Sequence, residues 1–394
     1  MICPEPSELQ ELVRELHRQA TPWLPAGLAS RLAWGPAIQT GADQACPDQQ
    51  EPLVLSTAKL NRIVAYSPGD FTITVAAGTP LVAVQQELAQ QRQWLSLDWP
   101  WGSGLAGRGS GSLGGLVARG LAGGYRQRYL GVRDQLIGIG LLRADGTAAR
   151  AGGKVVKNVA GYDLMRLLCG SWGSLALITE ITLRTQPLPP QRRSLWLQGP
   201  LPQLTGLARW LLDSSLSPER LDWVQHAAAQ APLGLLVGLA SISGPTLEEQ
   251  LACIRAKADD TGIEAAELDP EAHEQLLVAV PPAPDWLLHL GVPASHSEAL
   301  LAGSALGDLP VLLGAGSGLG VAWAAASALP AHRVVALRRQ CQALGGHLTV
   351  LRQPTGAGLP AWLDAPARPV IQALKRQFDP KQQLARGRLP GVAG

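Results

Sequence analysis

Hydrophobic positions in the first hundred residues follow the two spacings that identify helices and strands. Residues 7–19 carry leucine and valine at helical spacing, so we predict an amphipathic helix with Ser7 as its cap. Short apolar runs predict strands in RLAWG (31–35), PLVLST (52–57), NRIVAY (61–66) and FTITV (71–75), with a polar loop around Cys46. A helix after residue 80 would take Thr79 as its cap and Pro80 as its first residue.

The next hundred residues continue to mix strands and helices. The run LIGIGLLRADGTAAR (136–150) predicts a hairpin that turns at Asp145 and Gly146. A short helix is predicted in DLMRLLCGS (163–171) and a strand in SLALITEITLR (174–184). Pro187, Pro189 and Pro190 follow together, and we place a domain boundary there.

Beyond the prolines the chain is richer in leucine, alanine and tryptophan. Helices are predicted around 204–211, from a Thr246–Glu249 capping box, and from about 331 to 345, with strands in PLGLLVGLA (232–240) and HLTVL (347–351). Helices on one face of an antiparallel sheet suit this order. We therefore expect an α+β protein with a first domain at 1–188, a second at 191–345, and a carboxyl-terminal strand, helix and tail (346–394) that return to the first.

Composition excludes several classes of protein. The 33 basic residues nearly balance 31 acidic ones, so the chain lacks the positive surface of a nucleic-acid-binding protein. The five cysteines are far apart and have no C-x-x-C spacing, which indicates reduced thiols. The polar amino terminus does not resemble a secretory signal, so we expect a cytoplasmic protein, or one peripheral to the inner face of a membrane.

One uncharged run is long enough to span a membrane. It extends from Leu309 to Ala331, but prolines and glycines interrupt it. Such interruptions are typical of two buried strands around a turn and not of one spanning helix. We expect no membrane span.

Ten glycines lie among the 23 residues from Gly102 to Gly124, where G-x-G-x-x-G occurs twice. A nicotinamide dinucleotide motif needs a preceding strand, which Pro100 disrupts, and an acidic residue on the next strand. Asp134 has the right distance from Gly114, but residues 119–131 leave no room for a helix and a strand. A flexible surface loop is one alternative. The other is a backbone that a planar ring or pyrophosphate approaches closely, at a helix capped by Ser112.

Four stretches favour the ring-binding alternative. VAAGTPL (75–81), GSLGGLVARGLAGG (111–124), LGVRDQLIGIGLLRADG (130–146) and the segment 151–189, which contains GGKVVKNVAGYD, resemble the FAD-binding subunits of bacterial glycolate oxidases. These subunits belong to the flavoproteins that share the vanillyl-alcohol-oxidase, or PCMH-type, FAD fold. The resemblance covers about residues 54–190 and returns weakly in GGHLTVLR (345–352) and FDPKQQLARGRLPG (378–391).

The resemblance implies a set of cofactor-contacting residues. The turn at 78–79 would lie near the cofactor, the loop at 111–115 would present amides to the flavin ring, and the strand at 178–179 would pass the adenosine half. Lys157 would neutralise a phosphate, although a solvated lysine is the alternative, and Arg133 and Asp134 could equally form a surface ion pair. Valine at either glycine of the 114–115 pair should remove flavin and leave the fold. The full set is Gly78, Thr79, Gly111, Ser112, Gly114, Gly115, Ala122, Gly123, Arg133, Asp134, Lys157 and Ile178.

Two features depart from the family. Its members cradle the pyrophosphate with a glycine loop near the amino terminus, whereas this chain offers LAWGPAIQTG (32–41), in which Pro36 removes an amide donor. Members that oxidise 2-hydroxy acids alone carry clustered histidines, whereas the histidines here show no close ligand spacing, and we predict no metal. No histidine lies between Leu28 and Leu60, so the FAD should be noncovalent.

The resemblance implies an FAD-dependent oxidoreductase. The chain would be a subunit of a glycolate oxidase or dehydrogenase, with a homologous flavin subunit and an iron–sulfur subunit as partners and a small 2-hydroxy acid as substrate. The catalytic residues stay unassigned. The alternative is a scaffold subunit of the same complex that has lost flavin.

Overall fold

The computed structural model describes residues 1–36, 53–98, 111–153, 163–225, 233–277 and 284–393. The predicted loop around Cys46 lies outside them. The first group of elements, called the amino-terminal unit, covers residues 1–187. Its elements are α1 (Leu9–Arg18), β1 (Trp23–Ala26), β2 (Leu53–Ser56), β3 (Ile63–Ser67), β4 (Thr72–Ala76), α2 (Leu81–Gln90), β5 (Gln93–Trp94), α3 (Leu113–Arg119), α4 (Arg126–Tyr129), α5 (Val132–Gln135), β6 (Leu136–Leu142), β7 (Ala148–Gly152), α6 (Leu164–Leu168), β8 (Leu177–Arg184) and β9 (Gln186–Pro187).

The amino-terminal unit is built on an antiparallel sheet with strand order β3-β4-β8-β6-β7. The predicted hairpin is confirmed, because Leu142 pairs with Ala148 on either side of the turn. Apolar residues of β4, β6 and β8 pack against α2 and α3, and Ile73, Val75 and Ile181 are fully buried. A separate parallel pair, β1 and β2, lies next to α1.

Several local predictions for this unit are wrong. Residues 31–36 form turns, and the strand lies earlier, at Trp23–Ala26, where Trp23 and Leu24 are almost completely buried. Ser7 does not cap α1, whose N-cap position is Glu8. Thr79 does not cap α2, because its hydroxyl is hydrogen-bonded to the backbone of Arg62, at 3.1 Å from the nitrogen and 3.2 Å from the oxygen.

The second group of elements, the carboxyl-terminal unit, covers residues 191–352. Its strands form one antiparallel sheet of order β13-β10-β12-β11-β15-β16-β14-β17. The elements are β10 (Gln191–Gln198), α7 (Leu201–Asp213), β11 (Arg220–Gln225), β12 (Gly234–Ser241), α8 (Gly244–Asp260), β13 (Glu264–Leu268), α9 (Pro270–Leu277), β14 (Trp286–Gly291), α10 (Ser297–Leu301), β15 (Val311–Gly314), β16 (Leu319–Ala324), α11 (Ala331–Ala343) and β17 (His347–Arg352).

Helices α7, α8, α10 and α11 cover one face of this sheet and bury its largest apolar core. The predicted α+β class is thereby confirmed. Leu276 of α9 packs on the opposite face, with Trp196 and Leu236. The predicted capping box is wrong in register, because α8 begins at Gly244 and Ser243 accepts the hydrogen bond of the Thr246 amide.

The uncharged run at 309–331 forms the two strands β15 and β16, as predicted, and they pair with each other. Among the described helices, none is both long and apolar enough to cross a bilayer.

The chain end returns to the amino-terminal unit. Helix α12 (Arg368–Phe378) is followed by a tail in which Leu384 pairs with Trp23 of β1. Arg388 then donates to the backbone oxygens of Leu32, at 2.9 Å, and Pro36, at 3.0 Å. The predicted return is thus made by the helix and the tail. The strand at 347–352 instead pairs with β14 in the larger sheet, which we assign to the carboxyl-terminal unit.

Candidate functional site

An open cleft in the amino-terminal unit has walls from three chain segments. The first wall is residues 25–32, which are the end of β1 and the loop after it. The second is α3 with the two residues before it, and the third is residues 172–178, which include the start of β8. The walls enclose about 90 Å³, and the rest of the cleft is open to solvent.

The first wall exposes backbone donors. The backbone oxygen of Ala26 accepts from the amide of Thr57 at 2.8 Å, and that of Gly27 accepts from the hydroxyl of Ser56 at 2.8 Å. The amides of residues 28–30 donate no hydrogen bond to any acceptor in the described part of the chain. Ala29 has a left-handed backbone, with φ of 56°. Successive amides around such a residue form a concave site that suits an anion.

Gly27 allows the first wall to pack closely against the second wall. A β-carbon at Gly27 would lie 1.9 Å from the Ser112 hydroxyl, so only glycine allows the loop to approach α3. Ser112 caps α3, as predicted, by accepting the hydrogen bond of the Gly115 amide at 3.2 Å. The hydroxyl that caps the helix is therefore also the contact between the two walls.

The amides at the start of α3 are bonded within the protein. Gly114 donates to the backbone oxygen of Ala77 at 2.7 Å, and Gly115 donates to Ser112. These two amides therefore already have acceptors within the protein, and their role toward the flavin ring stays a prediction. A β-carbon at Gly114 would lie 2.7 Å from the Ala77 oxygen, whereas one at Gly115 would contact only the Ser112 hydroxyl, at 3.3 Å. Gly115 thus contributes an open backbone surface to the cleft.

Trp172 of the third wall stacks on the guanidinium of Arg119, which belongs to α3. The Arg119 guanidinium lies 3.8 Å from the centre of the Trp172 ring, and its Nη2 donates to the backbone oxygen of Arg31 at 2.9 Å. Its Nη1 is buried without a hydrogen-bond partner among the described residues. Burial, with Arg388 and Arg31 nearby, lowers the pKa of Arg119 to about 9. Burial also lowers the pKa values of Arg31 and Arg388 to about 10.

Five of the predicted cofactor residues line the cleft. They are Gly111, Ser112, Gly114, Gly115 and Ile178.

The other predicted residues lie elsewhere. Gly78 donates to the backbone oxygen of Leu60 at 2.9 Å, and neither Gly78 nor Thr79 lines the cleft. Arg133 is exposed, and the Asp134 carboxylate caps the Gly131 amide at 3.2 Å. Lys157, together with Lys154, Asn158 and residues 102–110, lies outside the described residues. The cofactor role of every member of the set stays a prediction.

Ala122 and Gly123 lie at the contact between the two units. Ala122 is buried, and the Gly123 amide donates to Asp98 at 3.2 Å. Arg220 of β11 pairs with Asp98 and, at 2.6 Å, with Asp222. A β-carbon at Gly124 would lie 2.2 Å from the Asp222 carboxylate. These glycines therefore let a buried ion-pair network form between the units.

Sequence reasoning missed the first wall, Arg119 and Trp172. The residues GLAS (27–30) directly follow β1, whereas the sequence pattern predicts the loop at 32–41. The loop is predicted at the wrong place because the strand before it is predicted at 31–35 and lies at Trp23–Ala26. Arg119 carried no motif of its own.

In the described part of the chain, no three histidine, cysteine, aspartate or glutamate side chains lie close enough together to hold a metal ion. Strands β14 and β17 bring the rings of His289 and His347 to 5.7 Å, on the larger sheet. Burial, with His347 as a smaller cause, lowers the pKa of His289 to about 3, so this histidine is neutral near pH 7.

Comparisons with known proteins locate the similarity. Residues 1–152 match a family described as FAD binding domain. Glycolate oxidase subunit GlcE of Escherichia coli (strain K12) is 39% identical over 151 residues, which are 38% of this chain and 42% of that protein. A D-2-hydroxyglutarate dehydrogenase of Xanthomonas citri pv. viticola is 35% identical over 185 residues, 46% of this chain and 36% of that enzyme. The chain thus spans less than half the length of these curated relatives.

A solved structure shares the fold across both units. Alkyldihydroxyacetonephosphate synthase superimposes with a TM-score of 0.68 and 12% identity, over 97% of this chain and 76% of that one. At this identity the likeness shows the fold alone.

Proposed function

We propose that this chain, whose residues 1–152 belong to the FAD binding domain family, is a flavin subunit of an oxidoreductase that acts on glycolate or a related 2-hydroxy acid. One observation carries the proposal: the matched segment contributes two of the three walls of the cleft. The names of the relatives, a glycolate oxidase subunit and a D-2-hydroxyglutarate dehydrogenase, point to 2-hydroxy acids as the substrate class.

The cleft residues fit FAD. The amides of residues 28–30 and the unpartnered nitrogen of Arg119 are donors suited to a phosphate. Gly115 leaves one wall without a side chain, as a flat ring requires.

The residues of this chain would bind and orient the cofactor. FAD, when bound, supplies the acceptor for the hydride that leaves the α-carbon of the substrate. The loop at 25–32 and Arg119 would hold its charged half, Ile178 of β8 would contact the adenosine, and Gly115 would lie near the ring. Trp172 would exclude water from one side of Arg119, which strengthens its interaction with an anion.

A homologous flavin subunit and an iron–sulfur subunit are proposed as partners. The described residues that line the cleft include no histidine or carboxylate that could act as a general base. The cysteines of the described residues, Cys3, Cys169, Cys253 and Cys341, are separate free thiols, whereas a cluster needs several cysteines together. We therefore place the hydroxy-acid site on the homologous subunit and the cluster on the other.

A scaffold subunit without flavin is the second candidate. Two observations favour it: the amides of Gly114 and Gly115 are bonded within the protein, and tryptophans fill part of the contact between the units. The rings of Trp172 and Trp362 lie 5.2 Å apart there.

Anaerobic reduction of the bound flavin tests the proposed function. The purified chain, alone and with its copurified partners, is mixed with glycolate or D-lactate, and the visible flavin absorption is followed. Bleaching in the complex supports the proposal, and bleaching by the chain alone would move the hydroxy-acid site onto this subunit. Flavin that no 2-hydroxy acid bleaches in the complex would contradict the assigned substrate class.

A further inference from the structure

Arg119 lies where a buried cation needs a partner. Its side chain lies flat on Trp172, and one of its terminal nitrogens, Nη2, donates to the loop at 25–32 through the backbone oxygen of Arg31. The other, Nη1, is shielded from solvent and has no partner in the described part of the chain. A buried guanidinium nitrogen without an acceptor is costly, so an acceptor that binds there gains the full strength of the interaction.

Positive charge accumulates around Arg119. Arg388 directs two of its nitrogens to the backbone oxygens of Leu32 and Pro36, and Arg31 is close enough to lower the pKa of Arg119. No carboxylate of the described residues forms an ion pair with Arg119 or Arg388. Backbone oxygens satisfy hydrogen bonds but leave the net charge uncompensated. The surroundings therefore favour an anion.

The neighbouring backbone favours a phosphate over a carboxylate. Residues 28–30 line the same cleft, their amides donate no hydrogen bond within the described part of the chain, and Ala29 has the left-handed backbone that turns successive amides to one side. A guanidinium fork offers parallel donors that match two phosphate oxygens. Two kinds of donor that converge on one cleft can share the several oxygens of a pyrophosphate.

We propose that Arg119, stacked on Trp172 and next to the amides of residues 28–30, forms a phosphate site that binds the pyrophosphate of the dinucleotide. This inference rests on the proposed function for the identity of the ligand. It makes Arg119 a cofactor-binding residue that compensates for the absence of consecutive glycines in the loop at 25–32.

The test uses the full chain freed of flavin and three arginine variants. Arg119→Gln keeps a polar side chain without the charge, and Arg119→Lys keeps the charge without the fork. Arg209→Gln removes one exposed charge from α7 as the matched control, and circular dichroism and thermal unfolding verify that each variant folds. Binding of FAD, riboflavin, inorganic pyrophosphate and glycolate is measured by titration at two salt concentrations.

We expect Arg119→Gln to weaken FAD binding by about 10- to 100-fold, as the loss of a hydrogen bond to a charged group does. Riboflavin, which lacks phosphate, should bind the variant and the parent equally. Arg119→Lys should recover part of the loss, and Arg209→Gln should match the parent. The salt dependence of FAD binding should decrease in Arg119→Gln, because one charge contact is removed.

The outcomes separate this site from the proposed function. If the parent binds pyrophosphate through Arg119 but holds no flavin, the phosphate site stands and the flavin function fails. If the parent holds FAD and Arg119→Gln holds it equally, the site is wrong and the flavin function stands. Binding of glycolate that depends on Arg119, without binding of pyrophosphate, would also overturn the site, since it would assign the arginine to a carboxylate.

Discussion

Two adjacent glycines in α3 have different physical roles. Gly114 packs its α-carbon against Ala77, where a β-carbon would come within 2.7 Å of a backbone oxygen. At Gly115 the β-carbon would contact only the hydroxyl of Ser112. The sequence predicts a cap at Ser112 and a need for glycine at both positions, but it cannot tell which one faces a ligand, because that depends on the segment packed on the other side.

Substitutions at these two glycines should separate the effect on stability from the effect on FAD binding. Gly114→Ala should destabilise the protein by about 1–3 kcal/mol or more, since a backbone oxygen cannot move aside easily. Gly115→Ala should cost little stability. Gly115→Val should lower FAD affinity and leave the unfolding transition nearly unchanged. Urea unfolding and FAD titration of the three variants measure both effects. Equal stability of Gly114→Ala and the parent would show that α3 does not pack on Ala77 in this way.

Buried histidines make the fold sensitive to acid. Burial lowers the pKa of His289 to about 3, and that of His273 to about 4. Both stay neutral in the folded state while the unfolded chain binds a proton below pH 6.5, so stability should decrease as the pH decreases from 6.5. At pH 5, proton binding by the unfolded chain should lower the free energy of unfolding by about 2 kcal/mol for each such histidine. Urea unfolding at pH 7, 6 and 5 measures this slope.

Substitution identifies the histidine that causes the slope. His289→Gln should flatten the decrease in stability between pH 6.5 and 5, even if the variant is less stable at pH 7. His332→Gln, at an exposed position of α11, serves as the control. An unchanged slope in His289→Gln would mean that this side chain has the same pKa in the folded and the unfolded state.

Several strands and helices lie where local sequence patterns predict them. The β6–β7 hairpin, the strand β8 and the helix α3 lie where the sequence predicts them, since turn glycines and alternating apolar residues are local signals. Strand β1 was missed because its burial comes from long-range contacts, with Leu384 of the tail and with β2. No local pattern reports a partner that lies 361 residues away in the chain, at Leu384 against Trp23.

Helix α12 is fixed to the amino-terminal unit by a buried lysine. The Lys375 ammonium donates to Asp379 at 2.6 Å, to the backbone oxygen of Ser174 at 2.7 Å and to that of Leu384 at 2.9 Å. Asp379 in turn accepts from the Leu384 amide at 2.7 Å. Both side chains are almost completely buried. The pair thus positions the tail, and with it Arg388, near the cleft.

Removal of one partner should release the tail. Lys375→Met leaves the Asp379 carboxylate buried and unpaired, so we expect a loss of about 3–5 kcal/mol in the free energy of unfolding. The double variant Lys375→Met with Asp379→Asn should recover part of this loss, because no unpaired charge remains. Urea unfolding of the parent, both single variants and the double variant gives the coupling free energy between the side chains of residues 375 and 379. Additive effects would show that the two side chains do not interact.

At the scale of the whole molecule, two α+β units enclose a buried ion-pair network. Arg220 of the carboxyl-terminal unit pairs with Asp98 of the other, and its guanidinium lies 4.3 Å from the centre of the Tyr125 ring. The α+β class could be predicted from composition and pattern, whereas the domain boundary at the prolines stays a prediction. The network could not, because Asp98 and Arg220 lie 122 residues apart and share no motif.

We propose that the cleft formed by residues 25–32, α3 and the start of β8 holds FAD. The flavin content of the full chain tests this proposal, after the protein is purified, incubated with excess FAD and passed through a desalting column. We expect the chain to retain stoichiometric FAD, acid precipitation to release it as a noncovalent ligand, and Gly115→Val to retain far less. A colourless protein that retains no FAD after this treatment would overturn FAD binding in the cleft and favour the scaffold.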